Sequence, residues 1–542
     1  SEGIHLVVPR SSTKECIDFI CKDLQTAADY LPARWESENK NFGRITSGAA
    51  LALKGRVELL YASPLFNRAD DVTRWETAYQ TNLAAVKKLE EGNFGLAYEN
   101  NSGKNAAGWG KIFSDYIGSE GGGGTVSEAV LVTLYNNVSP AEHLQLEKWN
   151  GWEHSLRPAN AGGGGGMTPT AEMVDLFPMA DGKKPNDMNG SYDYNQELFF
   201  LNRDPRFYRT FAFPGVEWKF DSDDLKSFGE KGQLPYGING YTTGNNYKLW
   251  NYCWYDNVDD RNSNSKSGYA ADCLGTKNTG IYLRKRTDDL ALNSNPLYIF
   301  EKTSGNGFRQ SAAPYMEIRF AEVLLNYAEA ACGANHFDEA VNALKRIRKR
   351  VGYTDNCGLD PAIFNDRAKL FEAILYERQI ELAYEGKRFH DVRRWMLFDG
   401  GVGQEALKST WKLTGFNGNT CNYLGVEPLN GQRRHRIEVY AKNFIAAKSN
   451  NVYNEDKTIK ETYDELWNKR PTALSLTEDI TCTESADDEI TYADAKVKAL
   501  AQFYQEHFKR KNLSTDGNDE TILPTFKPYY YILGFKKNAM QN

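Results

Sequence analysis

PYMEIRFAEVLLNYAEA (314–330) opens the part of the chain that decides the fold, and it is followed by FDEAVNALKRIRKRVG (337–352) and YERQIELAYEGKRFHDVRRW (376–395). In each stretch apolar residues recur at the spacing of three and four that is typical of an amphipathic helix. We expect the first helix to end at Gly333 and the second at Gly352, since glycine commonly follows a helix end. The first apolar stripe consists of Ile318, Ala321, Leu325, Ala328 and Cys332.

Two small residues on these stripes indicate how the helices pair. Ala328 and Ala340 lie twelve positions apart, where a helix–turn–helix repeat of the tetratricopeptide kind needs its helices close together. A further long helix is expected from Asp360–Pro361 to Gly386, with proline at its first position. This part of the chain therefore predicts a helical-repeat scaffold.

A second group of helices is predicted near the beginning of the chain. Ser12 and Glu15 have the spacing of a capping box, and a stripe of apolar residues follows up to Leu31. The next helix is expected from about Ser47 to Ser63, and a third from near Thr73 to Gly92. The first stripe consists of Ile17, Ile20, Cys21, Leu24, Ala27, Ala28 and Leu31.

Between and after these helices the composition changes. Residues 93–314 are rich in glycine, asparagine, aspartate and aromatics, with short strand-like runs at Ala129–Tyr135 and Gly280–Lys285. Residues 397–520 form another polar stretch, in which Ala493–Phe508 has a helical pattern. We therefore predict a mainly α fold: a tetratricopeptide-like scaffold with long irregular loop excursions and a few short strands. Loops of this length are usually functional.

Composition and motifs argue against several classes of function. The net charge of -7 does not suit a nucleic-acid-binding protein, which needs a basic face. The eight cysteines form no CxxC pair, the seven histidines form no HExxH motif, and no G-x-S-x-G is present. The glycine runs lack the Lys-Ser/Thr of a phosphate loop. We expect neither catalysis nor a metal or other cofactor.

One excursion has the composition of a ligand site. YTTGNNYKLWNYCWYDNVDDRN (241–262) interleaves aromatic rings with asparagine, aspartate and arginine. The C–H faces of a sugar stack on flat rings, while its hydroxyls need paired donors and acceptors. The alternative is that these rings form a small core beneath a long loop. The predicted ligand-binding residues are Trp250, Trp254, Tyr247, Tyr241, Tyr255 and Asn251, with Trp218 and Tyr236 as weaker candidates.

The charged residues of 376–395 are expected to have a structural role. Their polar heads would join helices through charge-assisted hydrogen bonds rather than contact a ligand. This set comprises Arg378, Glu381, Arg388, Asp391, Arg393 and Arg394, together with the neutral Trp395.

The three stretches at 314–395 together resemble the C-terminal core of the SusD/RagB family. The family's internal helices are similar to PRSSTKECIDFICKDLQTAADYLP (9–32) and GRITSGAALALKGRVELLYASPLFN (43–67). Its glycine-rich approach to the C-terminal region matches GGGGGMTPTAEMVDLFP (162–178), and its closing stretch resembles FKPYYYILGFKKNAMQN (526–542). By this resemblance, residues 1–542 are a single SusD-like domain that begins inside the family's domain, without the lipid-anchored N-terminal part.

The resemblance also implies a domain layout. Residues 12–92 and 315–396 would be scaffold helices, 93–314 the ligand-facing region, 397–520 an insertion and 521–542 the C-terminal stretch.

The resemblance further implies a function. Family members are outer-membrane lipoproteins on the cell surface, and each sits as a hinged lid over a SusC-like TonB-dependent transporter. Most capture oligosaccharides, and the RagB branch captures peptides. The clustered tryptophans and tyrosines favour an oligosaccharide, because a peptide site would rely on backbone hydrogen bonds and sparse stacking. An enzyme and a pure protein-interaction scaffold are the rival classes; no residue pattern selects a catalytic pair, and a scaffold has no need of the aromatic excursion.

Overall fold

The computed structural model describes most of the helical scaffold and parts of the loop-rich regions. The described residues are 10–103, 106–114, 126–138, 148–157, 166–218, 247–249, 281–287, 308–398, 413–429, 434–445, 451–454, 456–474 and 495–514. Every helix within these ranges is too short or too polar to cross a membrane.

Helices dominate the described residues. They are α1 (Thr13–Tyr30), α2 (Glu38–Asn41), α3 (Ser47–Ala62), α4 (Val72–Glu91), α5 (Ala107–Ser114), α6 (Trp152–Leu156), α7 (Ala171–Leu176), α8 (Pro205–Thr210), α9 (Phe320–Gly333), α10 (Phe337–Lys349), α11 (Arg367–Glu381), α12 (Arg388–Arg394), α13 (Thr420–Leu424), α14 (Tyr463–Asn468) and α15 (Ala495–His507). Two 3-10 turns lie at Gln196–Leu198 and Pro361–Ile363.

The strands are short and pair mostly in twos. They are β1 (Ala129–Thr133), β2 (Phe211–Ala212), β3 (Val216–Trp218), β4 (Tyr247–Leu249), β5 (Tyr282–Leu283), β6 (Tyr315–Arg319), β7 (His435–Ala441), β8 (Phe444–Ile445), β9 (Asn451–Tyr453), β10 (Ile459–Thr462) and β11 (Phe508–Ser514). The antiparallel pairs are β1–β6, β2–β5, β3–β4 and β7–β11, and β8, β9 and β10 form a three-stranded sheet.

Glycines bring α3 and α4 together as an antiparallel pair. A Cβ on Gly48 would lie 2.6 Å from the Leu89 side chain, and one on Gly55 would lie 2.4 Å from the Asn82 side chain. Gly48 precedes Gly55 along α3, whereas its contact Leu89 follows Asn82 along α4. The two helices are therefore antiparallel, as in a helical hairpin. The Asn82 amide also donates a hydrogen bond of 3.2 Å to the Gly55 carbonyl.

Helices α9, α10 and α11 pack with α3 and α4 around a shared apolar core. Trp75 of α4 is fully buried against Phe371 and Trp395, with ring centroids 5.3 and 6.1 Å away. Ala328 and Ala340 are both fully buried in the same cluster. The predicted fold class is confirmed: a mainly α, tetratricopeptide-like scaffold carries long irregular connections and a few short strands.

Three predicted elements differ from the structure. Ile318 lies in β6 rather than α9, because it pairs with Leu131 of β1. The helix expected from Pro361 breaks after a 3-10 turn and restarts at Arg367, since the Asp366 carboxylate caps the new helix by accepting from the Lys369 amide. In α1 the predicted capping box is present, but Ile20 is 41% exposed because α1 packs mainly on α3.

A second core joins the loop-rich region to the later part of the chain. Its centre is a cluster of phenylalanines around Phe199, Phe207 and Phe213. Side chains from the stretch 397–520, such as Ile437 and Leu500, are buried in the same cluster. The helix predicted at Ala493–Phe508 is confirmed as α15, which supplies Tyr504 to this core.

Candidate functional site

The predicted ligand-binding residues lie almost entirely outside the described residues. This holds for Tyr241, Trp250, Asn251, Trp254 and Tyr255, and for the weaker candidate Tyr236. Only the backbone of Tyr247 is placed, in β4, and that of the weaker candidate Trp218, in β3. Their role in ligand binding stays a prediction.

Part of this excursion has a defined attachment. Trp218 and Tyr247 are partners in the antiparallel β3–β4 pair, which joins the two ends of the segment 219–246. The backbone just before β3 is held by distant parts of the chain: the Leu474 amide donates to the Gly215 carbonyl at 2.8 Å, and the Tyr504 hydroxyl donates to the Pro214 carbonyl at 2.7 Å. Of the predicted ligand-binding residues, Tyr241 lies between the two strands in the sequence and Tyr247 begins β4, whereas Trp250, Asn251, Trp254 and Tyr255 come after β4.

A cavity of about 790 Å³ lies beside the C-terminal half of α11. Its size falls within the range of roughly 300–1,000 Å³ that is usual for small-molecule sites. The walls come from α7, α11, α12, the turn between α11 and α12, and the residues after α13. The apolar lining comprises Met173, Leu176, Leu375, Leu382, Ala383, Phe389, Val392, Leu397, Phe398, Leu424, Val426 and Leu429.

The sequence of α11 explains why this helix can border both a core and a cavity. Its residues Ile374, Glu377 and Glu381 are fully buried in the protein interior. Leu375 and Gln379 follow at helical spacing on another side and line the cavity. A helix that is apolar on more than one side is typical of a buried position, and here one of those sides borders the cavity.

Most charged groups of the cavity wall have partners. The Glu172 carboxylate is 2.6 Å from Nδ1 of His435, and the Glu372 carboxylate is 2.5 Å from the Lys184 ammonium. The Tyr376 hydroxyl donates to the Leu176 carbonyl at 2.6 Å. Each of these groups therefore has a partner within the protein.

Tyr384 is an exception on this wall. Its φ of 60° is in the left-handed region, which costs a non-glycine residue on the order of 1 kcal/mol or more. Its hydroxyl oxygen is buried and has no hydrogen-bond partner among the described residues. Burial raises the pKa of this hydroxyl well above its usual range, so it stays a neutral donor.

Arg388 and Gln379 are polar side chains of the wall that make no hydrogen bond in the described part of the chain. Burial lowers the pKa of Arg388 to about 10, the Asp391 charge opposes this shift, and the positive charge of Arg434 adds to it. Asp391 is itself engaged by Arg378 and Arg394. Arg388 is thus a partly buried cation, and the carboxylate that acts on it is already shared by two other arginines.

On the core side of α11, by contrast, charges are fully paired. The Glu381 carboxylate accepts from Arg206 at 2.9 Å, from Arg319 at 2.7 Å, from the Trp109 indole at 3.0 Å and also from Arg350. Burial would raise the pKa of Glu381, but the positive charges of Arg350, Arg319, Arg206 and Lys285 hold it well below the usual range. This group joins α11 to α5, α8, β6 and the end of α10.

Two further buried carboxylates extend these ion pairs. Burial alone would raise the pKa of Glu385, but Arg319 and Lys285 outweigh it and lower the pKa to about 2. Asp391 likewise has its pKa lowered to about 2, because Arg378 and Arg394 outweigh the effect of burial.

The structural role predicted for the charged residues of 376–395 is confirmed for most of them. Arg394 donates to both Glu329 and Asp391, and the Trp395 indole donates to Glu329 at 2.7 Å. Arg378 donates to Asp391 at 3.0 Å. Arg388 differs, because it lines the cavity. The sequence did not predict that Gln379 and Tyr384 would line a cavity. The signal that could have indicated it is the presence of apolar residues on more than one side of α11.

The described ranges contain no group of three or more histidine, cysteine, aspartate or glutamate side chains arranged to hold a metal ion.

Comparison with known proteins identifies relatives of the chain. A model of the SusD family matches residues 110–472. SusD-like protein P2 of Formosa agariphila is 34% identical over 131 residues, which are 22% of this chain and 25% of that protein.

Solved structures give a similar result. A SusD-like protein of Bacteroides fragilis has 24% identity and a TM-score of 0.49, over 81% of this chain and 65% of its own. A SusD-like carbohydrate-binding protein of the same species has 20% identity and a TM-score of 0.47, over 79% of this chain and 62% of its own. The chain therefore spans less than two thirds of these relatives.

Proposed function

Because the chain belongs to the SusD family, we propose that it captures oligosaccharides at the cell surface and delivers them to a SusC-like TonB-dependent outer-membrane transporter. SusD-like proteins are non-catalytic binding proteins, so no reaction is assigned. The observation that carries this proposal is the family match over residues 110–472. A solved relative described as carbohydrate-binding supports the choice of ligand.

The ligand would be held by the aromatic excursion 241–262. Trp250 and Trp254 would stack on sugar rings, with contributions from Tyr241, Tyr247, Tyr255 and Asn251. The β3–β4 pair supports this assignment for Tyr241 and Tyr247, since binding residues are often carried on loops positioned by a rigid scaffold.

Delivery requires a partner and an anchor. The protein would act as a lid over the transporter and would be attached to the outer membrane by an N-terminal lipid. A ligand that must be released again should bind with a dissociation constant of about micromolar to millimolar.

The alternative is a RagB-like protein that captures peptides and has the same role as a lid. Composition favours the glycan, because clustered tryptophan and tyrosine side chains offer stacking faces that a peptide backbone does not need.

Calorimetry would decide between these ligands. The purified protein, in full-length form, is titrated with a panel of oligosaccharides and a mixed peptide pool, beside Trp250→Ala and Trp254→Ala. Tyr30→Ala is the control, because Tyr30 is an aromatic residue on α1 that is 86% exposed.

Saturable heat with one glycan class that both tryptophan variants weaken, and Tyr30→Ala does not, is the expected result. Binding to peptides alone would overturn the glycan assignment in favour of the alternative. Glycan binding that survives both tryptophan substitutions would keep the function but move the site away from the excursion.

A further inference from the structure

The cavity beside α11 has walls that suit an aliphatic chain. Leu375, Leu382, Val392 and Leu397 are buried side chains that line it, and most of the remaining lining is also apolar. Sugar hydroxyls placed against such walls would lose hydrogen bonds to water without gaining new ones, which is unfavourable. The lining therefore favours a ligand with an apolar body.

The charges on the wall point to an anionic group on that ligand. Arg388 has no hydrogen-bond partner among the described residues, and Arg434 lies on the same wall. The acidic side chains Glu172 and Glu372 are engaged by His435 and Lys184. Glu427, the third acidic residue of the lining, is exposed and is not among the groups that act on Arg388.

A neutral group on the wall can bind the same anion or the atoms next to it. Gln379 offers a half-buried carboxamide that makes no hydrogen bond within the described ranges. The Tyr384 hydroxyl is not accessible from the cavity and takes no part in this arrangement.

We propose that this cavity is a second binding site, separate from the aromatic excursion, for a carboxylate attached to an aliphatic chain. Arg388 pairs with the carboxylate, Gln379 donates a hydrogen bond beside it, and the aliphatic chain lies along Leu375 and Val392. A guanidinium is suited to this role because it matches a carboxylate with two parallel hydrogen bonds. A fatty acid and the C-terminal leucine of a peptide present the same chemistry.

Calorimetry with matched ligand pairs tests the site. Octanoate is compared with octanamide, and N-acetyl-Leu-Leu with its C-terminal amide, in the full protein and in Arg388→Gln and Arg388→Lys. Arg393→Gln is the control, since Arg393 is on the same helix but is not part of the cavity wall. Circular dichroism and melting temperature confirm that each variant is folded.

In the unaltered protein we expect each carboxylate to bind at least roughly tenfold more tightly than its amide. Arg388→Gln should remove this preference, Arg388→Lys should keep part of it, and Arg393→Gln should leave it intact. Tighter binding of octanoate than of the peptide identifies a fatty chain as the natural ligand, and the reverse order identifies a peptide end. Absence of binding, or equal binding of acid and amide, would overturn the proposal.

Two further measurements test whether the ligand carries an aliphatic chain. Val426→Phe narrows the apolar space and should weaken octanoate and octanamide by the same factor, so that their ratio is unchanged. Glucuronate, a carboxylate on a polar ring, should not bind measurably. Binding of glucuronate as tight as that of octanoate would contradict the assignment of an aliphatic ligand.

Discussion

The two sides of α11 differ in how completely their charged groups are paired. On the core side, Glu381 has four partners from four other parts of the fold, and Arg378 is paired with Asp391. On the cavity side, Glu172 and Glu372 are paired, but Arg388 makes no hydrogen bond within the described residues. Fully buried charges must be paired, because the cost of desolvation is otherwise not offset. Arg388 is partly exposed, so it can persist without such a pair and contributes little to stability.

The largest expected effect comes from breaking the core side. Glu381→Gln removes the charge that three buried arginines share, and we expect the free energy of unfolding to fall by about 3–5 kcal/mol. Glu372→Gln is the control on the same helix. Its ion pair with Lys184 is partly exposed and should contribute no more than about 1 kcal/mol. Urea denaturation measures both; equal losses would contradict the difference between the two sides.

Adjacent residues of the same size offer a second test. Ile374 faces the core and Leu375 faces the cavity. Ile374→Ala opens a new void and should cost about 2–5 kcal/mol, whereas Leu375→Ala enlarges an existing space and should cost roughly half as much. Chemical denaturation of both variants checks this. A greater loss for Leu375→Ala would show that the cavity side is packed as tightly as the core.

Low pH should selectively weaken the ion pairs on the core side of α11. The pKa values of Asp391 and Glu385 are both lowered to about 2 in the folded protein, compared with about 4 in an unfolded chain. Their stabilisation is therefore present above about pH 5 and lost as pH falls towards 2, at roughly 3 kcal/mol for each carboxylate. Denaturation midpoints at pH 7, 5 and 3 measure the loss. In Asp391→Asn the slope with pH should be shallower, and an unchanged slope would exclude Asp391 as a source.

The smallest effect is expected on the cavity side. Arg388→Met removes a partly buried cation that makes no hydrogen bond within the described residues, so stability should stay within about 1 kcal/mol or rise. Arg394→Met, on the same helix, leaves Glu329 and Asp391 without their shared partner and should cost several kcal/mol. Thermal melts compare the two variants. A large loss in Arg388→Met would mean that Arg388 has a structural role after all.

Sequence patterns predicted the scaffold well because its elements are local. The capping box at Ser12 and the helix from Ser47 depend on spacing within a few residues, and both are present. The strand character of Ile318 could not be predicted this way, since it depends on pairing with Leu131, far away in the chain. The roles of Glu381 and Arg388 could not be predicted from the sequence either. Whether a charged side chain is paired depends on the distant elements that pack against it.

The excursion 241–262 remains a prediction at the level of side chains. Its composition is clear from the sequence, but the placement of its rings depends on contacts that local spacing does not determine. The structure defines the β3–β4 pair within it, and Trp250, Asn251, Trp254 and Tyr255 follow that pair in the sequence.

The arrangement of α3 and α4 also has a consequence for the order of folding. Their hairpin is complete at Glu91, but α9, which packs on α4, begins only at Phe320, roughly 230 residues later. Packing α9 on α4 closes a loop of that length, and the entropy of closing it must be offset before the contact adds stability. Until α11 and Trp395 also arrive, Trp75 lacks its partners Phe371 and Trp395, so the hairpin alone exposes apolar surface that is prone to aggregation.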